Sequence, residues 1–404
     1  MLSGSDFDGS GRANQTFSSP SKEFLKRSMG MPPLMKVAGK WKFLLPIALV
    51  PIPILLRLFG APDLAVFAAA GVAVIPLANL MGLATEELSK RAGPGIGGLL
   101  NATMGNATEL IIALVALGRA ASLAAGGYQT DANGLVEVVK ASITGSIIGN
   151  ILLVLGLSML VGGMRHRKQS FSIRAAELQV TLLVLAIVAL VMPELFQLST
   201  NGTGQLPSVS LAIAGLLLIG YVLGLVFSLH THKDVFNPVT QELEKPIWSR
   251  KFAIGVLVGA TVLVGLVAEV LVGSVEGATP ALGIPRPELF MGVIVIAIIG
   301  NAAEHSAAVM MAWKNKMDLS VAITTISSVQ IALFVTPVLV FAAFALGQPL
   351  TLAFEMFELV AIVLAVAIVA VLAKDGETNW YEGVLLLLVY AIIAVGFFFH
   401  PAPP

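Results

Sequence analysis

The sequence predicts an all-α polytopic membrane protein of eleven transmembrane helices, one peripheral helix followed by two inverted five-helix repeats. Three observations carry this expectation. The 404-residue chain is 57% hydrophobic and only 12% charged, whereas a soluble domain carries about 25% charged residues. Its apolar residues gather into runs near the roughly 20 residues that cross a bilayer. A five-residue polar motif also occurs twice, each time inside such a run.

The runs lie at about 43–60, 62–83, 95–118, 135–162, 172–192, 207–229, 251–275, 288–312, 319–346, 351–373 and 380–399. Helix is expected for all of them, because lipid offers no partner to an unpaired backbone polar group. They are too long and continuous for the alternating strands of a barrel. Residues 1–42 are rich in Ser, Gly and Lys and have no apolar stretch ahead of a cleavage site, so they read as a flexible cytoplasmic tail rather than a secretory signal. With the N-terminus inside, 20 of the 24 Lys and Arg residues fall on the cytoplasmic side, and only Arg57, Arg119, Lys140 and Arg286 fall outside. That asymmetry is the one that orients membrane proteins, and it places the C-terminus outside.

Gly105-Asn106-Ala107-Thr108-Glu109 recurs as Gly300-Asn301-Ala302-Ala303-Glu304. The surroundings repeat more loosely. Ala84-Thr85-Glu86-Glu87-Leu88 parallels Val267-Ala268-Glu269-Val270-Leu271, and Gly145-Ser146-Ile147-Ile148-Gly149-Asn150 parallels Ser327-Ser328-Val329-Gln330. Spans two to six therefore correspond to spans seven to eleven, and the first is extra. The units are a peripheral helix at 43–60, a first repeat at 62–230, a cytoplasmic linker at 231–250 and a second repeat at 251–399. Five helices per repeat is an odd number, so the halves must lie in opposite orientations. Inverted repeats with a site at mid-membrane are a common plan for secondary transporters.

A carboxylate at membrane depth costs at least ~2.5 kcal/mol on insertion scales, so two at equivalent positions are hard to explain as packing. Asn106 and Glu109 share a helix face at a spacing of three, as do Asn301 and Glu304. Carboxylates with amide oxygens make a hard, all-oxygen site of the kind Ca2+ prefers. The chain has no cysteine and five histidines, which argues against dedicated zinc or copper sites. Like charge and poor solvation both favour a protonated carboxyl, so protons and a divalent cation would compete for the same oxygens. Asn150 and Gln330 are candidate further ligands, with interhelical hydrogen bonding the competing reading. Glu86 and Glu269 stand near span ends, where they would guide ions or simply reach the interface. Glu87 and Glu276 read as solvated neighbours, and His305 as a structural or tuning group.

The two motifs resemble the signature motifs of the cation/proton exchanger (CAX) family of Ca2+/H+ antiporters, part of the Ca2+/cation antiporter superfamily. The resemblance covers everything after the tail. It implies that Glu109 and Glu304 form a central acidic pair flanked by Asn106 and Asn301. It also implies that Glu86 and Glu269 lie on gating helices and that Asn150 and Gln330 lie on the remaining pore-lining helices. The Na+/Ca2+ branch typically places Pro before the acidic residue; Thr108 and Ala303 stand there in this chain, which favours protons as the coupling ion.

The function expected is secondary active export of cytosolic Ca2+ in exchange for protons by alternating access, with Glu109 and Glu304 alternately binding Ca2+ and H+. A Na+-coupled or broad-specificity divalent cation exchanger is the alternative. Two unlike inverted halves do not build the symmetric ring of a channel filter, and no nucleophile or zinc set suggests an enzyme. No cofactor is expected, the transported ions being cargo. The partners expected are the lipid bilayer and, as one option, a second copy of the chain; the zero net charge gives no reason to expect nucleic acid. The membrane expected is a prokaryotic inner membrane, with a vacuole-type membrane as the other option.

Overall fold

A computed structural model of the chain describes residues 45–200, 204–231 and 246–401. The tail and most of the 231–250 linker fall outside the described residues. The helices are α1 (Pro51–Leu58), α2 (Asp63–Met104), α3 (Ala107–Ala125), α4 (Gln129–Ile148), α5 (Leu155–His166), α6 (Ile173–Ser199), α7 (Leu206–Val226), α8 (Arg250–Gly273), α9 (Val275–Ala278), α10 (Pro287–Phe290), α11 (Ala297–Gly300), α12 (Ala302–Trp313), α13 (Met317–Gln330), α14 (Thr336–Ala345), α15 (Met356–Leu372) and α16 (Trp380–Phe398). Two short strands, β1 (Lys168–Ser170) and β2 (Glu377–Asn379), pair antiparallel. Local chemistry sets several starts. Ser172 accepts from the Ala175 N–H and Ser249 from the Phe252 N–H, while α15 and α16 begin with reciprocal capping boxes, Glu355 with Glu358 and Asn379 with Glu382. Each cap satisfies backbone donors left over at a helix start.

Among the described residues, eight helices are long and apolar enough to cross a membrane, or nine if the pair Val275–Leu282 and Pro287–Gly300, bent by 108°, counts as one. Helix also covers the first and tenth apolar runs, at Leu45–Leu58 and Met356–Leu372, but these are shorter. The third and eighth runs, expected as continuous helices, are broken. α2 and α3 are separated at Gly105-Asn106, and α11 and α12 at Asn301. α2 itself is 42 residues long, about 63 Å if straight, but it is not straight. A Cβ on Gly97 would lie 3.2 Å from the Cα of Ser89, eight residues earlier and about 12 Å away in a straight helix. The chain therefore turns between Ser89 and Gly97.

Two π-helical turns stand at equivalent places. One, Gly149–Val154, joins α4 to α5; the other, Ile331–Val335, joins α13 to α14. Single π turns inside helices are often found at functional sites. A third, Met291–Ile296, precedes α11, and Gly292 and Gly145 let this segment lie backbone to backbone against α4. α8 packs along α2.

The connecting segments make two separate sets of contacts. In the first, Glu87 accepts from the N–H groups of Ile247 and Trp248, each at 2.7 Å, and Arg91 donates to the Trp248 carbonyl. In the same set His166 lies 3.0 Å from the Trp313 carbonyl, the Ser172 N–H donates to Asp318, and β1 pairs with β2. In the second, Arg286 bridges Glu137 and Glu355, Lys140 donates to the Ala353 carbonyl, Gln348 donates to Asn133 at 3.5 Å, and Arg119 pairs with Glu276 at 3.5 Å. Two expectations are corrected here. Glu87 is not a solvated neighbour but is buried, because the segment ahead of α8 folds over it. Glu276 is held by Arg119.

Candidate ion-binding site

The site forms where the two broken helices meet. Asn106 (φ −94°, ψ 19°) and Asn301 (φ −87°, ψ 3°) leave helical geometry, each at the start of the half-helix that follows. Neither side chain caps its own helix, so both amides reach across the interface. Nδ2 of Asn106 donates to Oε1 of Gln330 at 2.6 Å, and Nδ2 of Asn301 donates to Oγ of Ser146 at 2.8 Å. The break places Glu109 and Glu304 in the first turns of α3 and α12. There the unpaired N–H groups and the helix dipole favour negative charge, the arrangement of discontinuous helices in many transporters.

The glycines of the motifs serve the opposite carboxylates. A Cβ on Gly105 would stand 2.8 Å from Oε1 of Glu304, and a Cβ on Gly300 would stand 2.9 Å from Cγ of Glu109. Each glutamate thus lies over the glycine of the other half's motif. Ser327 ties the halves together. Its hydroxyl lies against Oε2 of Glu304 and 3.1 Å from Oδ1 of Asn106, and it accepts from Nδ2 of Asn150 at 3.1 Å. One hydroxyl has one proton, so Glu304 and Asn106 share a single donor. Asn150 also lies 3.4 Å from Asn301 and 3.2 Å from the His305 ring.

Six of the residues singled out in the sequence are therefore gathered together: Asn106, Glu109, Asn150, Asn301, Glu304 and Gln330. The three asparagines are 1% exposed. Ser327 is the hub; its place opposite Gly145-Ser146 in the repeat was the signal. Glu86 and Glu269 lie apart from this cluster. Both are exposed, and Glu86 is paired at 2.7 Å with Lys90 one turn along α2.

Both carboxylate oxygens of Glu109 are buried without a hydrogen-bond partner among the described residues. Such a group is costly unless protonated or bound to a cation. Among the described residues no third acidic or imidazole group completes a metal-ligating cluster. Any cation here would rest on two carboxylates completed by amide and hydroxyl oxygens, a hard oxygen set.

The apolar helices and the buried polar cluster at their breaks fit an integral membrane transporter. A profile described as "Sodium/calcium exchanger protein" matches residues 63–230 and again 252–399. The chain is 44% identical over 384 residues to a protein of Synechocystis sp. named "Ca(2+)/H(+) antiporter", with 89% of this chain and 97% of that protein covered. It is 44% identical over 361 residues to Bacillus subtilis "Ca(2+)/H(+) antiporter ChaA", covering 88% and 98%. Among solved structures, native YfkE aligns with a TM-score of 0.74 at 41% identity, covering 89% of this chain and 99% of that one. The chain belongs to the sodium/calcium exchanger family, and the resemblance of its motifs to those of the cation/proton exchangers holds.

Proposed function

We propose that this protein exports Ca2+ from the cytosol in exchange for protons by alternating access, with Glu109 and Glu304 binding Ca2+ and H+ in turn. The observation that carries the proposal is the seating of each glutamate over the other motif's glycine. That arrangement joins the two halves into one site, so a motion of one half against the other opens it to either side. The partnerless Glu109 carboxylate suits a group that is always occupied by a proton or a metal ion. The names of the relatives agree with Ca2+ and protons as the pair exchanged.

The two sets of connecting contacts support eleven crossings and the inverted arrangement. With eleven spans, the segments holding Glu87, His166, Ile247, Trp313, Asp318 and Glu377 all follow even-numbered spans; those holding Asn133, Glu276, Arg286 and Gln348 follow odd-numbered ones, and Glu137 and Glu355 stand at the starts of the spans that come next. Each set then lies on one face. If only the eight long helices crossed, Arg286 and Glu355 would fall on opposite faces, as would His166 and Trp313. If nine crossed, β1 and β2 would be separated. In this reading Asn106, Asn301, Asn150 and Gln330 complete the site, and Glu86 and Glu269 attract cations at its entrances. The bacterial relatives favour a plasma membrane, and the distribution of Lys and Arg puts the N-terminus on the cytoplasmic side in this reading.

Glu109→Gln and Glu304→Gln, reconstituted separately in proteoliposomes, test the site. Each is expected to abolish Ca2+ uptake driven by a pH gradient while purifying as monodisperse protein. Coupled uptake retained in both variants would contradict it.

A further inference from the structure

Glu87 is a carboxylate for which the exchange chemistry has no use. It is 6% exposed and lies beyond the site, toward the end of the apolar run of α2. Its Oε2 takes two backbone N–H groups, from Ile247 and Trp248, at 2.7 Å each, while its Oε1 faces Nζ of Lys90 at 3.5 Å. Arg91, four positions further, donates to the carbonyl of the same Trp248. Immediately afterwards Ser249 caps α8. The last residues of the linker are thus held to α2 by side-chain-to-backbone bonds from two residues one helical turn apart, at the point where α8 begins. α8 then packs along α2.

We infer that Glu87 is a positioning residue that makes α2 and α8 one moving body in the transport cycle. The inference rests on the alternating-access reading above. The carboxylate is suited to the task. An ionised oxygen accepting two N–H groups makes charge-assisted bonds of about twice the usual strength, and burial keeps water from replacing them. Backbone donors make the grip independent of which side chains stand at 247 and 248. A displacement of either helix is then passed to the other at this end, and a pull on the linker acts on both.

The test uses the full chain, which has no cysteine of its own, in proteoliposomes with an imposed pH gradient. Glu87→Ala is expected to lower the maximal Ca2+ uptake rate at least tenfold with little change in the Ca2+ KM, because the site itself is untouched. Glu87→Gln keeps one acceptor oxygen and is expected to retain a third or more of the rate. In Glu87→Cys/Ile247→Cys, bridging by a short reducible bis-thiosulfonate reagent replaces the clamp and is expected to restore uptake lost in the unbridged pair. Uptake by Glu87→Ala at the wild-type rate would overturn the inference. So would a bridged pair that is inactive and recovers when the bridge is reduced, since the clamp would then have to open during transport. If Glu87→Ala fails to fold, the bridged pair still decides. Wild-type protein run alongside separates the two levels: no uptake in wild type removes the proposed function, whereas normal wild-type uptake with an indifferent Glu87 removes only the clamp.

Discussion

Gly105 and Glu304 are 199 positions apart in the chain, yet a methyl group on the first would lie 2.8 Å from Oε1 of the second. The clash is with the end of a flexible side chain, so Gly105→Ala is expected to fold. It displaces one oxygen of the proposed site, and the Ca2+ KM should rise about tenfold, equivalent to ~1.4 kcal/mol. Gly300→Ala meets Glu109 at Cγ, 2.9 Å away and nearer the backbone, where rotation gives less relief. Its loss of transport should be the larger. Uptake kinetics of both variants check the order, and unchanged KM values in both would count against the interlocked pair.

Competition between protons and Ca2+ for Glu109 and Glu304 has a definite sign. Metal binding to carboxylates releases their protons, so acidifying the Ca2+-loading face must raise the apparent Ca2+ KM. With two protons displaced, the limit is about a hundredfold per pH unit. Uptake kinetics at fixed gradient and varied absolute pH give the slope, and a KM that ignores pH would separate Ca2+ binding from proton binding.

Ser327→Ala removes the one donor shared by Glu304 and Asn106 and the acceptor used by Asn150. Losing a buried hydrogen bond to a charged group costs about 1.5–3 kcal/mol. Weaker Ca2+ binding, by tenfold or more, is expected in isothermal titration, with Ser327→Thr closer to wild type because it keeps the hydroxyl.

Much of the site was legible because it is written twice. The paired motifs stand at repeated positions, Asn150 and Gln330 fall within the paired segments that follow them, and the apolar runs located most of the helix. The breaks at Asn106 and Asn301 were not legible. A spacing of three fits one helix face as well as a residue ahead of a helix and one in its first turn, and only the tertiary setting chooses between them. Glu87 was misread for a related reason. A carboxylate near a span end reaches water by default, and what buries it lies 160 positions later at Ile247. The turn between Ser89 and Gly97, by contrast, falls about where the sequence separates the second and third apolar runs.

The crossing count has its own test, made simple by the absence of native cysteine. Single cysteines at Gly127 and Gly347 are expected to react with an impermeant maleimide from outside intact cells. Cysteines at Asn315 and Gly376 should react only after the membrane is opened. Any exchange of sides between Gly347 and Gly376 would change the number of spans.

The central claim is that Ca2+ and protons exchange at one site. Its most direct measurement is of both ions at once, in sealed proteoliposomes free of Na+ and held at zero voltage. Inward Ca2+ movement is expected to drive outward proton flow, reversing the pH gradient to reverse the Ca2+ flux, and Glu109→Gln to stop both together. Ca2+ flux that proceeds without proton movement, or only when Na+ is supplied, would contradict it.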